Sequence, residues 1–326
     1  MATIYHRDQP GAPALSYAAN NGQAGFNAVK AILKACLVYG YADKPAAGWE
    51  LINEGAAFIV LRNGSHSGYV CLELVSSVMR VHLAETYTGM SGNIMTGAGV
   101  KSGNRTSSSL PQAVLVSYSV PHSASTTWVV IADERTFSLE IFSPASSSAE
   151  ELLSFSSSTN AASCWTLTVG EDSEGNFISA GGSANTAVSN SSTLVSYLSG
   201  GAGFTVLKDP STGLLVGAGE VNVVTPSMSA TAAAANAIIK VDSVSLLPIS
   251  WGSSHIAGSL RGVVATPEVQ CVSFASLAAQ CLGYPGPLTT RTGNTPIDLG
   301  DGHTYFVRAG GSSGAFWLVT DNPVFW

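Results

Sequence analysis

Charge is scarce in this sequence. Lys, Arg, Asp and Glu together make up 11% of the 326 residues, against about a quarter in ordinary soluble domains. The balance is acidic, at −7, and Lys and Arg nowhere cluster, so the basic footprint of a nucleic-acid binder is missing. No apolar run approaches the ~20 residues that a membrane-spanning helix needs. The opening Met1-Ala-Thr-Ile-Tyr-His-Arg-Asp-Gln-Pro10 lacks the apolar core of a secretory signal, and the expectation is a chain made and folded in the cytosol. Cysteine is sparse as well: Cys36, Cys71, Cys164, Cys271 and Cys281 are odd in number, far apart and never spaced C-x-x-C. That pattern argues against a disulfide framework or a zinc ribbon and for small core residues.

Converging catalytic or metal-binding groups are equally hard to find. The six histidines, His6, His66, His82, His122, His255 and His303, show no H-x-x-x-H or H-E-x-x-H spacing that would place two imidazoles on one helix face. Asp298 and Asp301-Gly-His303 could supply an acid and a base on one loop, but Asp-Gly is first of all a hairpin turn. Glu171-Asp-Ser-Glu-Gly-Asn176 lacks the alternating ligands of a calcium loop and reads as a solvated turn. Gly200-Gly-Ala-Gly203 runs into Phe204 rather than a phosphate-binding Lys-Ser/Thr. Glycosidases need only two acids, and Glu50, Glu54, Glu73, Glu85, Asp133 and Glu134 are available, but their spacing pairs none of them. No catalytic, cofactor-binding or metal-binding residue is assigned.

What the sequence does have is 45% hydrophobic residues, enough for a real core, and a surface of hydroxyls and small side chains. Residues 1–25 carry Pro10, Pro13 and the turn signal Asn20-Asn-Gly22, and read as an extended N-terminal arm, either one that lies on a neighbouring subunit or a partly disordered terminus. Phe26, Val29, Leu33, Cys36 and Leu37 then recur at helical spacing, with Lys30 and Lys34 on the other face and Gly40 at the C-cap position. Strands follow at 48–54, 57–63, 68–74 and 77–85, an antiparallel meander whose nearly continuous apolar runs predict cover on both faces, one of them by the helix. Residues 88–109 read as a projecting contact loop, with a floppy linker as the alternative. Further strands are predicted at 112–120, 127–133, 136–143, 164–169, 177–180, 243–251, 259–267, 304–308 and 315–319. Asp209-Pro-Ser-Thr-Gly213 carries a hairpin signature, and short helices are predicted near 149–153 and 274–281. The fold class is mostly β with a few short helices, an α+β lobe at the N-terminus and antiparallel, sandwich-like meanders. The boundaries are an arm at 1–25, a helix plus β lobe with long Gly/Ser-rich loops at 26–226, and a C-terminal β-rich lobe at 227–326.

Phe26-Asn-Ala-Val-Lys-Ala-Ile-Leu-Lys-Ala-Cys-Leu-Val-Tyr-Gly-Tyr41 followed by Lys44-Pro-Ala-Ala-Gly-Trp49, then Ala132-Asp-Glu-Arg-Thr-Phe137, Leu247-Pro-Ile249 and Arg261-Gly262, resembles a family of bacteriophage and prophage virion proteins encoded among tail genes. The resemblance implies a non-enzymatic structural protein of the virion, assembled in the host cytoplasm. It also implies a place at the tail tip or baseplate, with other copies of itself and neighbouring virion proteins as partners. It brings no catalytic residue with it. Two rivals share the composition: a capsid-decoration or head-to-tail connecting protein, and a host-surface glycan-binding or glycan-cleaving protein, for which Trp251, Tyr284 and Trp317 are the first aromatics to consider.

Overall fold

The computed structural model describes residues 1–15, 21–75, 78–102, 104–105, 108–111, 113–115, 127–142, 165–181, 204–208, 212–215, 221–223, 245–251, 255–265, 296–298, 301–310 and 315–326. The predicted helices near 149–153 and 274–281 lie outside them. The strands, in chain order, are β1 (Thr3–His6), β2 (Glu50–Gly55), β3 (Phe58–Arg62), β4 (Tyr69–Val75), β5 (Val78–Ala84), β6 (Gly89–Ser91), β7 (Ile94–Thr96) and β8 (Lys101–Ser102). Next come β9 (Asn104–Arg105), β10 (Ser108–Pro111), β11 (Ala113–Leu115), β12 (Thr127–Ala132), β13 (Thr136–Phe142), β14 (Trp165–Glu171), β15 (Phe177–Gly181) and β16 (Phe204–Val206). The last are β17 (Val221–Val223), β18 (Ser245–Trp251), β19 (His255–Ala265), β20 (Pro296–Asp298), β21 (Thr304–Gly310) and β22 (Ala315–Thr320). The fold is mostly antiparallel β with one substantial helix, α1 (Gly22–Leu33).

Three larger sheets organise these strands. The first is the meander, ordered β11-β5-β4-β3-β2 with β8 also on β5; the second is ordered β1-β12-β13-β14-β15-β16; the third is ordered β17-β18-β19-β22-β21-β20. The near-continuous apolar runs of β3 and β4 are explained by cover on both faces. Ile59, Leu61, Val70 and Leu72 face the helix residues Phe26, Val29, Leu33 and Leu37 in the main core. Val60, Cys71 and Ala84 on the opposite face pack under Met95 of the β6–β7 hairpin. The second sheet contributes its alternate residues, Trp128, Val130, Phe137, Leu139, Leu167 and Val169, to the main core, as a period of two dictates. The helix therefore lies between two sheets.

Several expectations change at this level. The opening residues are extended, but β1 pairs within the chain, Thr3 with Ala132 through His6 with Val129, and Tyr5 is fully buried. The apolar Ile4-Tyr5 step and the tie from the Tyr5 hydroxyl to the Pro45 carbonyl (2.7 Å) hold it there. The helix begins earlier than expected, because Asn21 serves as N-cap, its side chain accepting from the Ala24 amide at 3.0 Å. Its last turn, Lys34–Tyr39, is π-helical. Lys30 is not on a solvated face: it is buried and donates to the Gly55 carbonyl at 2.7 Å. The segment expected to project at 88–109 instead starts with the β6–β7 hairpin folded onto the first sheet, with Met95 buried. The expected lobe boundary, 226/227, lies outside the described residues.

The Lys44-Pro-Ala-Ala-Gly-Trp49 motif closes the helix. Gly40 leaves it with φ +75, in the region favouring glycine, and a Cβ there would sit 2.5 Å from the Lys44 carbonyl oxygen. The chain doubles back so that the Ala47 amide donates to Cys36 O at 3.0 Å and the Gly48 and Trp49 amides donate to Leu37 O at 3.1 and 3.0 Å. These bonds satisfy carbonyls that every helix end leaves free. Trp49 then enters the core, its ring edge-on to Phe137 with centroids 5.1 Å apart. Trp49→Ala removes that anchor and is expected to cost about 3–5 kcal/mol, read as a lowered denaturation midpoint with an unchanged m-value; Trp49→Phe retains part of the packing and should recover part of the loss.

Candidate functional site

The acids that the sequence offers each meet a basic side chain or solvent. Glu50 faces His66 at 3.2 Å and Arg62 at 3.7 Å. Glu54 takes Lys34 at 2.8 Å and Lys30 at 3.2 Å; Glu85 takes Lys208 at 2.5 Å. Glu73 meets His82, Asp133 meets Arg261, and Glu134 is exposed. Glu54 titrates below the ordinary carboxyl range: partial burial works to raise it, and the hydrogen bonds and charges of Lys34 and Lys30 outweigh that.

A dense cluster of charged and polar side chains stands where the three sheets meet, at the turn between β12 and β13. Asp133 Oδ1 accepts from the Arg135 and Thr136 amides at 2.9 and 2.8 Å, the local geometry that makes Asp a turn former. Its carboxylate also receives Arg261 of β19, Nη2 to Oδ2 at 2.7 Å and Nη1 to Oδ1 at 3.2 Å, a two-pronged contact that is buried at both ends. Arg261 Nη1 donates further to Thr136 Oγ1 at 2.9 Å. From the first sheet, Asn63 directs its amide nitrogen to Ser65 Oγ (2.7 Å), Ser67 Oγ (2.8 Å) and the Arg135 carbonyl (3.2 Å), while its oxygen caps the Ser67 and Gly68 amides. The Gly64 amide donates to Glu134 O at 2.7 Å and Trp49 Nε1 to Asp133 O at 2.9 Å.

Glu171, at the end of β14, closes the other side. Its carboxylate accepts from Ser65 Oγ and pairs with Arg135. Burial works to raise its pKa, but the Ser65, Ser67 and Arg135 contacts prevail and hold it below the ordinary range. The next residue, Asp172, is almost fully buried and accepts from the Glu174 amide and from both nitrogens of Asn176. The start of this turn is thus not solvated, contrary to expectation, because it is packed under β19. Gly258 lies so close that a Cβ there would be 2.3 Å from Asp172 Oδ2, and Ser173 and Ser259 exchange hydrogen bonds at 2.9 Å. Chemically this arrangement holds sheets together: its acids are matched to cations or capped by amides.

A second grouping has the residue types of a nucleophilic site. Cys71 on β4 stands directly opposite His82 on β5, and His82 Nε2 lies 3.0 Å from Glu73 Oε2. Thiol, imidazole and carboxylate therefore share one face of the first sheet. Activation would need a depressed thiol pKa, yet burial pushes Cys71 up to about 12, and its Sγ donates to the Asn93 carbonyl at 3.5 Å. Burial also holds His82 below its ordinary value, against the opposing pull of Glu73. The β6–β7 hairpin covers the face. The sequence signal was present in Cys71-x-Glu73 and a histidine on the next strand, but the register that joins them was not readable.

The remaining candidates fall into place as turns and strands. Asp301-Gly-His303 lies in the connection of the β20–β21 hairpin, as the turn reading has it. Asp301 accepts from Tyr305 Oη at 2.5 Å, Asn322 Nδ2 at 2.9 Å and the His303 amide at 3.0 Å, and Asp298 pairs through its backbone with Thr304. Trp251 and Trp317 belong to β18 and β22; Tyr284, His122 and the 200–203 glycines lie outside the described residues. Among the described residues, no group of three or more His, Cys, Asp or Glu is placed to hold a metal ion, and no helix is long and apolar enough to cross a membrane. No family model matches the chain, and no curated protein matches it.

Two outcomes follow from this geometry. Arg261→Ala leaves the Asp133 carboxylate buried and unpaired and is expected to cost about 3–5 kcal/mol, measured by chemical denaturation; adding Asp133→Asn should return part of it, since the double variant buries no lone charge. For His82, the folded state disfavours the proton, so its contribution to stability is fully present above the unfolded value of about 6.5 and declines as pH falls from there toward the lower folded value. Denaturation midpoints between pH 7.5 and 5 should therefore fall less steeply in His82→Gln than in the unaltered protein.

Proposed function

We propose that this chain is a structural component of a bacteriophage virion, seated at the tail tip or baseplate, and that it acts without catalysing a reaction, by associating with copies of itself and with neighbouring virion proteins. The observation that carries the reading is where the chain places some of its few charges. Asp133, Arg135, Glu171 and Arg261 stand at one buried joint between three sheets, and Lys30, Lys34 and Glu54 brace the helix against the first sheet. Such placement suits a subunit that must transmit force without deforming. A surface with few remaining charges presents little repulsion to a neighbour, and interface cores are depleted in charged residues. The resemblance of the helix and its Lys44–Trp49 sequel to phage tail-associated proteins supports the same reading, because those residues are the ones that lock the helix into the core.

Gold-antibody labelling of intact particles by electron microscopy tests this directly. Label confined to the tail tip is the expected result. Label over the head would replace the tail reading with capsid decoration, and absence of label from disrupted as well as intact particles would overturn the virion reading itself.

A further inference from the structure

Among the described residues, the β1 edge of the second sheet is met by a single residue. In the β1–β12 ladder the Arg7 amide donates to Trp128 O at 3.2 Å. Residues 7, 5 and 3 therefore point their backbone groups inward to β12, and residues 4 and 6 point theirs outward. Outward-facing N–H and C=O groups on an edge strand are a template on which another strand can add. Here Gln9 takes three of the four. Its Oε1 accepts from the His6 amide at 3.1 Å, its Nε2 donates to the Ile4 carbonyl at 3.3 Å, and its own backbone amide donates to the His6 carbonyl at 3.2 Å. The Tyr41 hydroxyl donates to the same Oε1 at 2.6 Å and fixes the amide in place.

The need for such a device is visible in the strand it covers. Thr3-Ile-Tyr-His6 has high β-propensity and no Lys, Asp, Glu or Pro, and its ladder with β12 is regular. Beyond its shortness, four residues, it has none of the charges, prolines or bulges by which edges are blunted. The β2 edge of the first sheet does use such means: its register shifts between Leu51 and Asn53, and it carries Glu50 and Glu54. In a chain so poor in charge, the bare β1 edge would be the natural place for a second copy to pair.

We infer that Gln9 is a plug that imitates one residue of an added strand and keeps the β1 edge from pairing with the β1 edge of a second copy of this chain. Association, wherever the protein resides, is thereby directed to other surfaces. The inference concerns the isolated chain and stands whether or not the virion reading holds.

Sedimentation velocity over a concentration series tests it on the full chain. Gln9→Ala is expected to self-associate at least about tenfold more tightly than the unaltered protein, the worth of one or two uncovered backbone hydrogen bonds. Adding Ile4→Pro should reverse this, since proline removes an outward amide and leaves the inward ladder bonds alone. Equal association of Gln9→Ala and the unaltered protein, or association that Ile4→Pro fails to reverse, would overturn the inference. Amide hydrogen exchange on the unaltered protein gives an independent reading that does not depend on a variant folding. The outward His6 amide should be protected to the same degree as the inward Tyr5 amide, and rapid exchange at His6 would refute the plug.

Discussion

The turn Asp133–Thr136 is the point on which the three sheets depend. Its backbone carbonyls receive Trp49 from the helix-return loop, Gly64 from the first sheet and Asn63 beside it. Its one buried carboxylate receives a guanidinium from the third sheet. A buried Asp is tolerable only when its lone pairs are met, so the geometry at Asp133 cannot relax in one direction without exposing an unsatisfied charge in another. Remote segments are held in register by that demand. Asn63, Arg135, Glu171 and Arg261 come from four separate stretches of sequence, yet they form one connected set of bonds.

The apolar core alone would not fix this arrangement. The main cluster joins the helix to two sheets, but hydrophobic contact is non-directional and allows sheets to slide. The directional contacts sit at the ends of strands, in the turns, where a small rotation breaks several bonds together. Part of the chain's scarce charge thus stands at joints, where it supplies the direction that apolar contact lacks. Lys30 illustrates it: an amphipathic pattern assigns it to solvent, and the fold takes it inward to tie the helix to the turn after β2.

Much of the architecture was legible in the sequence because it is local. Alternation and turn chemistry marked β2 to β5, β12 to β15 and the last two strands to within a few residues, and the period of Phe26, Val29, Leu33 and Leu37 marked the helix and its buried face. What was not legible depends on pairing across long separations. Nothing local marks Thr3–His6 as an edge strand of a sheet whose next strand begins at Thr127, and nothing local sets Cys71 against His82. The same holds for the joint. Asn63-Gly-Ser65 and Glu171–Asn176 were readable as turns, but their burial comes from each other and from Arg261, far along the chain. The π-helical form of Lys34–Tyr39 was likewise invisible, since the apolar spacing through Cys36 and Leu37 looks the same in either helix.

The pairing of the first strand with β12 also sets an order in time. Its partner strand is complete only at Ala132, so after Thr3–His6 leaves the ribosome about 126 further residues must be added, roughly 6–25 s at about 5–20 residues per second. The meander of β2 to β5 can form in that interval from neighbours alone, because its strands follow one another directly. The opening strand meanwhile waits without a ladder. The last tie, Arg261 to Asp133, closes 128 residues after its acid was made. Synthesis of this chain is thus a sequence of holding states, in which the strand made first in the second sheet waits longest for its partner.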